Sequence, residues 1–343
     1  MTRAKVPATR AARHIRPQNA VSSPWAKLHS RFMASLDPAE QSHIYALSVE
    51  TAAALQAWAG GYPVVRAARI LPLSLSVAAS APFSSVEALI STARLSLWVF
   101  TLDDLFDEQC APEHTLRQQA QIFRGLAYQH VTCPPGDHLG PALRDVRDDL
   151  ASYPLFQSLG DEWAAAVCGT IDAMLREYDW RATHRDAAGH WTSLPSYDEY
   201  LAVGRYSIGG PPHIWAAMIT ADDPSTPDHL DHLRSMEQVA STCIRLANDL
   251  QSYHKELLEG NVNALVIVSR DLVQQGVAHE AALEQAEEHV RADIAAGLER
   301  LWLLRKAAVT RTGHPEAAID NIARFVCDFY AHHDYHTFLS QAV

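Results

Sequence analysis

Two clusters of oxygen-bearing side chains have spacings that suit a divalent metal site. The first is the segment 103–107, DDLFD, which follows an apolar run over residues 95–102. Asp103 and Asp107 are four residues apart, so a helix would place both carboxylates on one face, about 6 Å apart along its axis. Like charges at that spacing repel each other and cost stability unless cations neutralise them. The alternative interpretation is a solvated helix end.

The second cluster is the segment 248–256, NDLQSYHKE, in which Asn248, Ser252 and Glu256 recur every four residues. On a helix these side chains form one stripe that offers an amide oxygen, a hydroxyl and a carboxylate. Such hard oxygen ligands suit Mg²⁺, which keeps several waters and takes substrate phosphate oxygens as further ligands. The alternative is a solvent-facing stripe, but apolar residues, among them Leu246 and Leu257, flank the segment on both sides.

The two clusters together resemble the paired metal motifs of class I terpene synthases. Segment 103–107 is similar to the family's DDxxD motif, and segment 248–256 matches the NSE motif, (N/D)Dxx(S/T)xx(K/R)E, at every specified position. The resemblance covers about residues 37–338 and includes the loop GNVN at 260–263. It implies an all-α fold: a single-domain bundle of about ten to twelve helices around a central apolar cavity.

The resemblance also implies a set of metal ligands. Asp103 corresponds to the carboxylate that bridges two Mg²⁺ ions, with Asp104 and Asp107 as supporting groups. Asn248, Ser252 and Glu256 correspond to the ligands of a third Mg²⁺. Three Mg²⁺ ions are therefore expected as cofactors.

Further residues correspond to diphosphate-binding groups of the family. Lys255 is expected to contact the diphosphate, and Arg205, 43 residues before Asn248, corresponds to a pyrophosphate-sensing arginine. The alternative for Arg205 is a surface side chain. Ile208 and Gly209, three and four residues later, correspond to a linker and to an effector whose backbone carbonyl faces the forming cation.

The C-terminal region departs from the family pattern. Many members carry an Arg-Tyr pair that closes on the diphosphate, whereas this chain has Asp334 and Tyr335 in the corresponding position. Tyr335 can keep its hydrogen bond, but Asp334 cannot replace an arginine. Either a neighbouring cation from His332, His333 or His336 substitutes, or closure is weaker.

An allylic cation must be kept from water in an apolar cavity whose aromatic faces favour positive charge. Trp98, Phe100 and Trp215 are the preferred candidates for that wall, because the first two precede the acidic motif and the third follows a helix break. Further aromatic candidates are Tyr178, Trp180, Phe329 and Tyr330. The alternative for each of them is an ordinary core aromatic.

Helix signals recur throughout the chain. Capping patterns at 37–40, 84–87 and 196–199 predict helices over about 37–58, 84–108 and 196–206. The segment GGPP at 209–212 must break a helix, because proline lacks an amide donor and clashes with the preceding turn. Long helices are predicted at about 158–181, 227–258, 262–275, 278–309 and 315–338, and the pattern favours one domain over residues 36–343.

Composition restricts partners and location. The net charge of −12 argues against nucleic acid, and no uncharged apolar run is long enough to predict a membrane span. Five scattered cysteines without a CxxC pair indicate a reduced, cytoplasmic chain. Residues 1–35 carry seven Lys or Arg and no acid. We interpret them as a disordered tail, in preference to an organelle transit peptide or a segment that orders over an anionic ligand. The family resemblance also suggests a homodimer.

The expected reaction is ionisation and cyclisation of a prenyl diphosphate. Two small residues at the effector, Gly209 and Gly210, favour a C20 substrate, either geranylgeranyl diphosphate or a bicyclic labdadienyl-type diphosphate, with C15 farnesyl diphosphate as the alternative. A prenyltransferase needs a second DDxxD and a class II cyclase needs DxDD, and the sequence has neither. His333-Asp334 lacks the further ligands of an HD-type phosphohydrolase. A helical isoprenoid-binding protein remains open, but it would not explain both metal motifs.

Overall fold

The computed structural model describes residues 25, 28–107, 112–129, 131–183 and 191–335, without the Asp107 side chain. Most of the predicted basic tail and His336 lie outside these residues, as does the Asp107 carboxylate. Within them the chain forms twelve α-helices of eleven residues or more, one of four residues and no β-strand. The helices are α1 Arg31–Ala34, α2 Pro38–Ala59, α3 Ile70–Ser80, α4 Val86–Asp107, α5 Glu113–Tyr128, α6 Leu139–Leu150, α7 Phe156–Thr183, α8 Tyr197–Ser207, α9 Gly210–Thr220, α10 Leu230–Glu259, α11 Ala264–Gln274, α12 His279–Lys306 and α13 His314–Tyr330.

Local capping chemistry sets several helix starts. The Asp37 carboxylate caps α2 by accepting hydrogen bonds from the backbone N–H groups of Ala39 and Glu40. In turn, the Glu40 carboxylate accepts a hydrogen bond from the Asp37 N–H. Ser196 caps α8 through its Oγ, which accepts a hydrogen bond from the backbone N–H of Glu199. These two predicted starts are confirmed. In α4 the cap is one residue later than predicted, because Ser85 Oγ accepts from Ala88.

The break between α8 and α9 positions the cavity wall. Gly209 adopts a left-handed φ of 74°, which glycine tolerates without the steric penalty of a β-carbon. The two prolines then occupy the first turn of α9, where their missing N–H groups have no partner to lose. Helix α9 therefore begins at Gly210. This start is three residues before His213, from which the sequence pattern predicts that a helix resumes.

The helices bury one large apolar cluster and a second, smaller one to which α8, α11 and α12 contribute. Helix α10 packs against α12 and α13, while α4 and α7 both pack against α9. Their facing sides bury Leu, Ile, Val and aromatic side chains. No helix in the part of the chain that the structure covers is both long and apolar enough to cross a membrane. The all-α expectation is confirmed.

Candidate active site

A polar cleft lies between the C-terminal end of α4 and the C-terminal half of α10. Five residues singled out from the two sequence clusters line it: Asp103, Asn248, Ser252, Lys255 and Glu256. The structure therefore brings together two segments whose first residues, Asp103 and Asn248, are 145 residues apart in the chain.

The predicted stripe on α10 faces this cleft. Ser252 Oγ donates to the Asn248 backbone carbonyl at 2.8 Å, so its lone pairs stay available to a cation. Glu256 Oε2 accepts a hydrogen bond from Asn263 at 2.8 Å. The stripe offers an amide, a hydroxyl and a carboxylate, and Asp103 faces it from α4.

The two adjacent aspartates of α4 have different surroundings. Asp103 lines the cleft. Asp104 is 4% exposed and receives two hydrogen bonds from Arg69, at 2.7 and 2.8 Å, and an ion pair from Arg66 at 3.1 Å. The Asp104 carboxylate is therefore paired with protein cations on another side of the helix and does not line the cleft, which argues against direct metal ligation. Its role as a group that supports the site stays a prediction.

Three positively charged side chains line the cleft. Of these, only Lys255 was predicted from the sequence to lie at the site. Arg181, at the end of α7, donates to the Phe106 carbonyl at 3.0 Å and lies over the Tyr178 ring. Arg245 lies on α10, three residues before Asn248. Helical periodicity places Arg245 one turn before the metal stripe, and this spacing is visible in the sequence.

A buried network holds Arg245 in place. Its Nε donates to the Tyr200 hydroxyl at 2.8 Å, and that hydroxyl donates to Asp249 at 2.8 Å. Asp249 and Tyr200 have no solvent exposure. Burial raises the pKa of Asp249 to about 8, and the Arg245 guanidinium at 2.9 Å acts in the opposite direction. The Asp of the NSE motif is therefore an anchor for Arg245 and does not line the cleft.

The predicted sensor Arg205 lies elsewhere. It borders a separate groove of about 670 Å³, forms an ion pair with Glu237 at 3.6 Å and lies over the Tyr206 ring. Trp215 borders the same groove. Both residues therefore sit outside the cleft and the apolar cavity, because their faces of α8 and α9 turn towards the N-terminal part of α10.

An apolar cavity adjoins the polar cleft. Val99, Phe100, Ile208 and Tyr330 line both spaces, so the two are adjacent. The remaining wall residues are mostly aliphatic or glycine: Leu73, Ser76, Ser96, Gly209, Gly210, His213, Ile214, Ile244, Ile322, Val326 and Tyr335. The structure thus places Phe100, Ile208 and Gly209 on the cavity as expected.

Trp98 was predicted to line the cavity wall, but the structure does not place it there. It is fully buried, donates from Nε1 to the Leu139 carbonyl at 2.9 Å and packs edge-on against Phe123. Residues two apart on a helix point in nearly opposite directions. Since Phe100 faces the cavity, Trp98 faces the core between α4, α5 and α6.

The C-terminal residues divide between the two spaces. Asp334 lines the polar cleft, whereas Tyr335 lines the apolar cavity and its hydroxyl is hydrogen-bonded to Ser76 Oγ. His333 is buried and accepts from the His29 N–H at 3.0 Å, and His332 is exposed. Neither histidine lines the cleft in place of the family's arginine, a role that Arg181 and Arg245 are better placed to take.

The donor set fits Mg²⁺ better than a softer metal. Among the described side chains, no three His, Cys, Asp or Glu groups come together as a metal site. The cleft instead combines Asp103 and Glu256 with an amide and a hydroxyl, which is a sparse set of hard oxygen ligands. Mg²⁺ suits such a set because it keeps waters and completes its shell with phosphate oxygens.

Comparison with known proteins identifies the family of this chain. Residues 94–296, more than half of the chain, match the family model described as "Terpene synthase family 2, C-terminal metal binding". Pristinol synthase from Streptomyces pristinaespiralis is 28% identical over 240 residues, which are 63% of this chain and 59% of that protein. A germacradien-6-ol synthase from Streptomyces pratensis is 28% identical over 251 residues, 68% of this chain and 64% of that protein. The chain thus matches about three fifths of the length of these relatives.

Solved structures share the fold at low identity. The 2-methylisoborneol synthase of Streptomyces coelicolor, in complex with Mg²⁺ and geranyl-S-thiolodiphosphate, has a TM-score of 0.67 and 16% identity, with 84% of this chain and 92% of that chain covered. Linalool/nerolidol synthase from Streptomyces clavuligerus, in complex with 2-fluorogeranyl diphosphate, has a TM-score of 0.62 and 16% identity, with 83% and 94% covered. By its matched family model, its helical fold and its paired metal motifs, this chain belongs to the terpene synthase family.

Proposed function

We propose that this chain is a Mg²⁺-dependent class I terpene synthase, a carbon–oxygen lyase that ionises and cyclises a prenyl diphosphate and releases diphosphate. The observation that carries the proposal is the meeting of Asp103 with Asn248, Ser252 and Glu256 in one cleft that adjoins an apolar cavity. A polar mouth suits the diphosphate, and the apolar cavity suits the hydrocarbon chain.

These four residues would hold the Mg²⁺ ions, with the Asp107 carboxylate as a further ligand. Bound Mg²⁺ supplies Lewis-acid neutralisation of the leaving diphosphate. Arg181, Arg245 and Lys255 line the same cleft and donate charge-assisted hydrogen bonds to diphosphate oxygens. The network behind Arg245 orients its guanidinium before substrate arrives, so little ordering is required on binding.

The cavity residues act on the hydrocarbon part. The aliphatic wall excludes water from the allylic cation, and the Phe100 and Tyr330 rings offer negative π faces to positive charge. Ile208 and Gly209 end α8 at the cavity wall, where the Gly209 carbonyl is proposed to face the cation. Cavity shape then selects among the cyclisation routes.

We propose a C20 substrate, geranylgeranyl or a bicyclic labdadienyl-type diphosphate, because Gly209 and Gly210 leave the cavity wall without side chains at the break. Incubation with Mg²⁺ and C10, C15, C20 or bicyclic C20 diphosphates, followed by gas chromatography–mass spectrometry, tests this choice. A cyclic product from farnesyl diphosphate alone would replace the C20 proposal with a sesquiterpene synthase. Chain elongation would indicate a prenyltransferase. Binding without diphosphate release would indicate an isoprenoid carrier.

The metal site is tested by Asp103→Asn and Asn248→Ala. Each variant is expected to lose at least about 100-fold in turnover while keeping its helicity by circular dichroism, because each removes a cation ligand from the cleft rather than a core contact. Asp161→Asn, which changes an exposed carboxylate on α7, is the control. Full activity in either site variant would refute the assignment.

A further inference from the structure

Asn263 joins the metal stripe to the next helix through a single carboxamide. Its Oδ1 caps α11 by accepting from the Leu265 N–H at 2.8 Å. Its Nδ2 donates to the Asp249 backbone carbonyl at 3.0 Å and to Glu256 Oε2 at 2.8 Å. Asn263 has no solvent exposure, and both amide hydrogens have a partner.

This contact restricts Glu256. A glutamate side chain has three rotatable bonds, and on a helix face next to a cleft it can adopt several orientations. The bond to Asn263 restrains Oε2, so the orientation of the carboxylate is held from one side. Partners of this kind orient metal ligands in proteins and raise the affinity for the ion.

Only an amide satisfies this position. A carboxylate at residue 263 would set acceptor against acceptor at both the Asp249 carbonyl and Glu256. Serine or threonine would still cap α11, since both are good N-cap residues, but their shorter hydroxyls would not supply two separate donors. A substitution at residue 263 can therefore keep the N-cap of α11 while it removes the hydrogen bond to Glu256.

We propose that Asn263 is a positioning residue that holds Glu256 in the orientation in which it binds the catalytic cation. The inference rests on the proposed function, in which Glu256 is a Mg²⁺ ligand. Asn263 itself touches neither cation nor substrate. It acts through Glu256, and its second hydrogen bond, to the Asp249 backbone carbonyl, holds the carboxamide in place.

Isothermal titration calorimetry with inorganic diphosphate and varied Mg²⁺ tests the proposal without relying on turnover. Asn263→Ser is expected to weaken the apparent Mg²⁺ affinity about 10-fold or more, which is the usual effect of losing a partner of a metal ligand. Asn263→Thr, which also keeps the cap, should behave alike. Asp37→Ala removes the N-cap of the distant α2 and should leave Mg²⁺ affinity unchanged.

A double-mutant cycle separates bracing from general damage. If Asn263 acts through Glu256, Asn263→Ser adds no further loss of Mg²⁺ affinity in a Glu256→Ala background. Additive losses, or wild-type affinity in both Asn263 variants, would overturn the inference while the proposed function stands. Absence of Mg²⁺-dependent diphosphate binding in the wild-type protein would refute the proposed function and the inference with it.

Discussion

Adjacent residues on α4 take different roles because successive helical side chains point about 100° apart. Asp103 faces the cleft, and Asp104 faces Arg69, whose own exposure is 1%. A motif that repeats one residue type thus contains a candidate ligand and a structural ion pair. The cations of the cleft show the same dependence on direction, since Arg181 lines it and Arg205 does not.

Substitution of the two aspartates should separate stability from activity. Asp104→Ala leaves the Arg69 guanidinium buried without its main partner, so we expect a loss of about 3–5 kcal/mol in unfolding free energy. Asp103→Asn should change that free energy by less than about 1 kcal/mol, because its carboxylate borders an open cleft. Urea denaturation followed by circular dichroism measures both. Equal destabilisation by the two substitutions would contradict the division.

Substitution of Arg181 tests whether the positively charged side chains of the cleft bind the diphosphate. Arg181→Met is expected to lower kcat/KM by about 100-fold, because a cation aimed at the leaving group is lost. Arg176→Met is the control on the same helix, since Arg176 is exposed and pairs with Glu199 on the surface. Steady-state kinetics with the accepted diphosphate gives the comparison. Similar kcat/KM values for the two variants would remove Arg181 from the site.

At the scale of elements, the α8–α9 break shapes the cavity wall. The left-handed Gly209 turns the chain so that Ile208 ends one helix on the cavity and Gly210 begins the next. A β-carbon on Gly209 would come within 2.4 Å of Val99 Cγ1 on α4. The close approach of these two elements therefore depends on glycine at this position.

Gly209→Ala should destabilise the fold and alter the products. The left-handed φ costs about 1 kcal/mol for a residue with a β-carbon, and the contact with Val99 adds to that cost. Because Val99 lines the cavity, its displacement should change the product distribution. Adding Val99→Ala should restore part of the lost stability. Thermal melting and product profiles of the single and double variants test this, and no recovery in the double variant would contradict the contact argument.

At the scale of the whole molecule, burial couples stability to pH. His213 lies on the apolar cavity with Nδ1 hydrogen-bonded to Ser96 at 2.8 Å, and burial lowers its pKa to about 4. The unfolded histidine has a pKa of about 6.5. Between these values the unfolded chain binds a proton that the folded chain does not, so stability falls as pH decreases.

From pH 7 to pH 5 the His213 contribution should fall by about 2 kcal/mol. His213→Gln keeps a polar side chain near Ser96 but does not titrate, so its stability should depend less steeply on pH in this range. The difference between wild type and variant removes the contribution of the other histidines. Urea unfolding at half-unit pH intervals measures it, and parallel curves would show that folding does not shift the pKa of His213.

The sequence by itself determined the features that depend on local spacing. These features follow from residues close together in the chain, because capping and helical periodicity act over one or two turns. They are the helix content, the Asp37 and Ser196 caps, the break at 209–212 and the stripe of Asn248, Ser252 and Glu256.

Only the tertiary structure decided which side of each helix meets which neighbour. That choice placed Trp98 in the core and Phe100 on the cavity, turned Asp104 towards Arg69 and directed Arg205 towards Glu237. It also brought Arg181, which lies in no motif, to the cleft and placed Asn263 of the loop GNVN against Glu256. The facing of a helix is set by the packing of distant apolar surfaces, which local spacing does not specify.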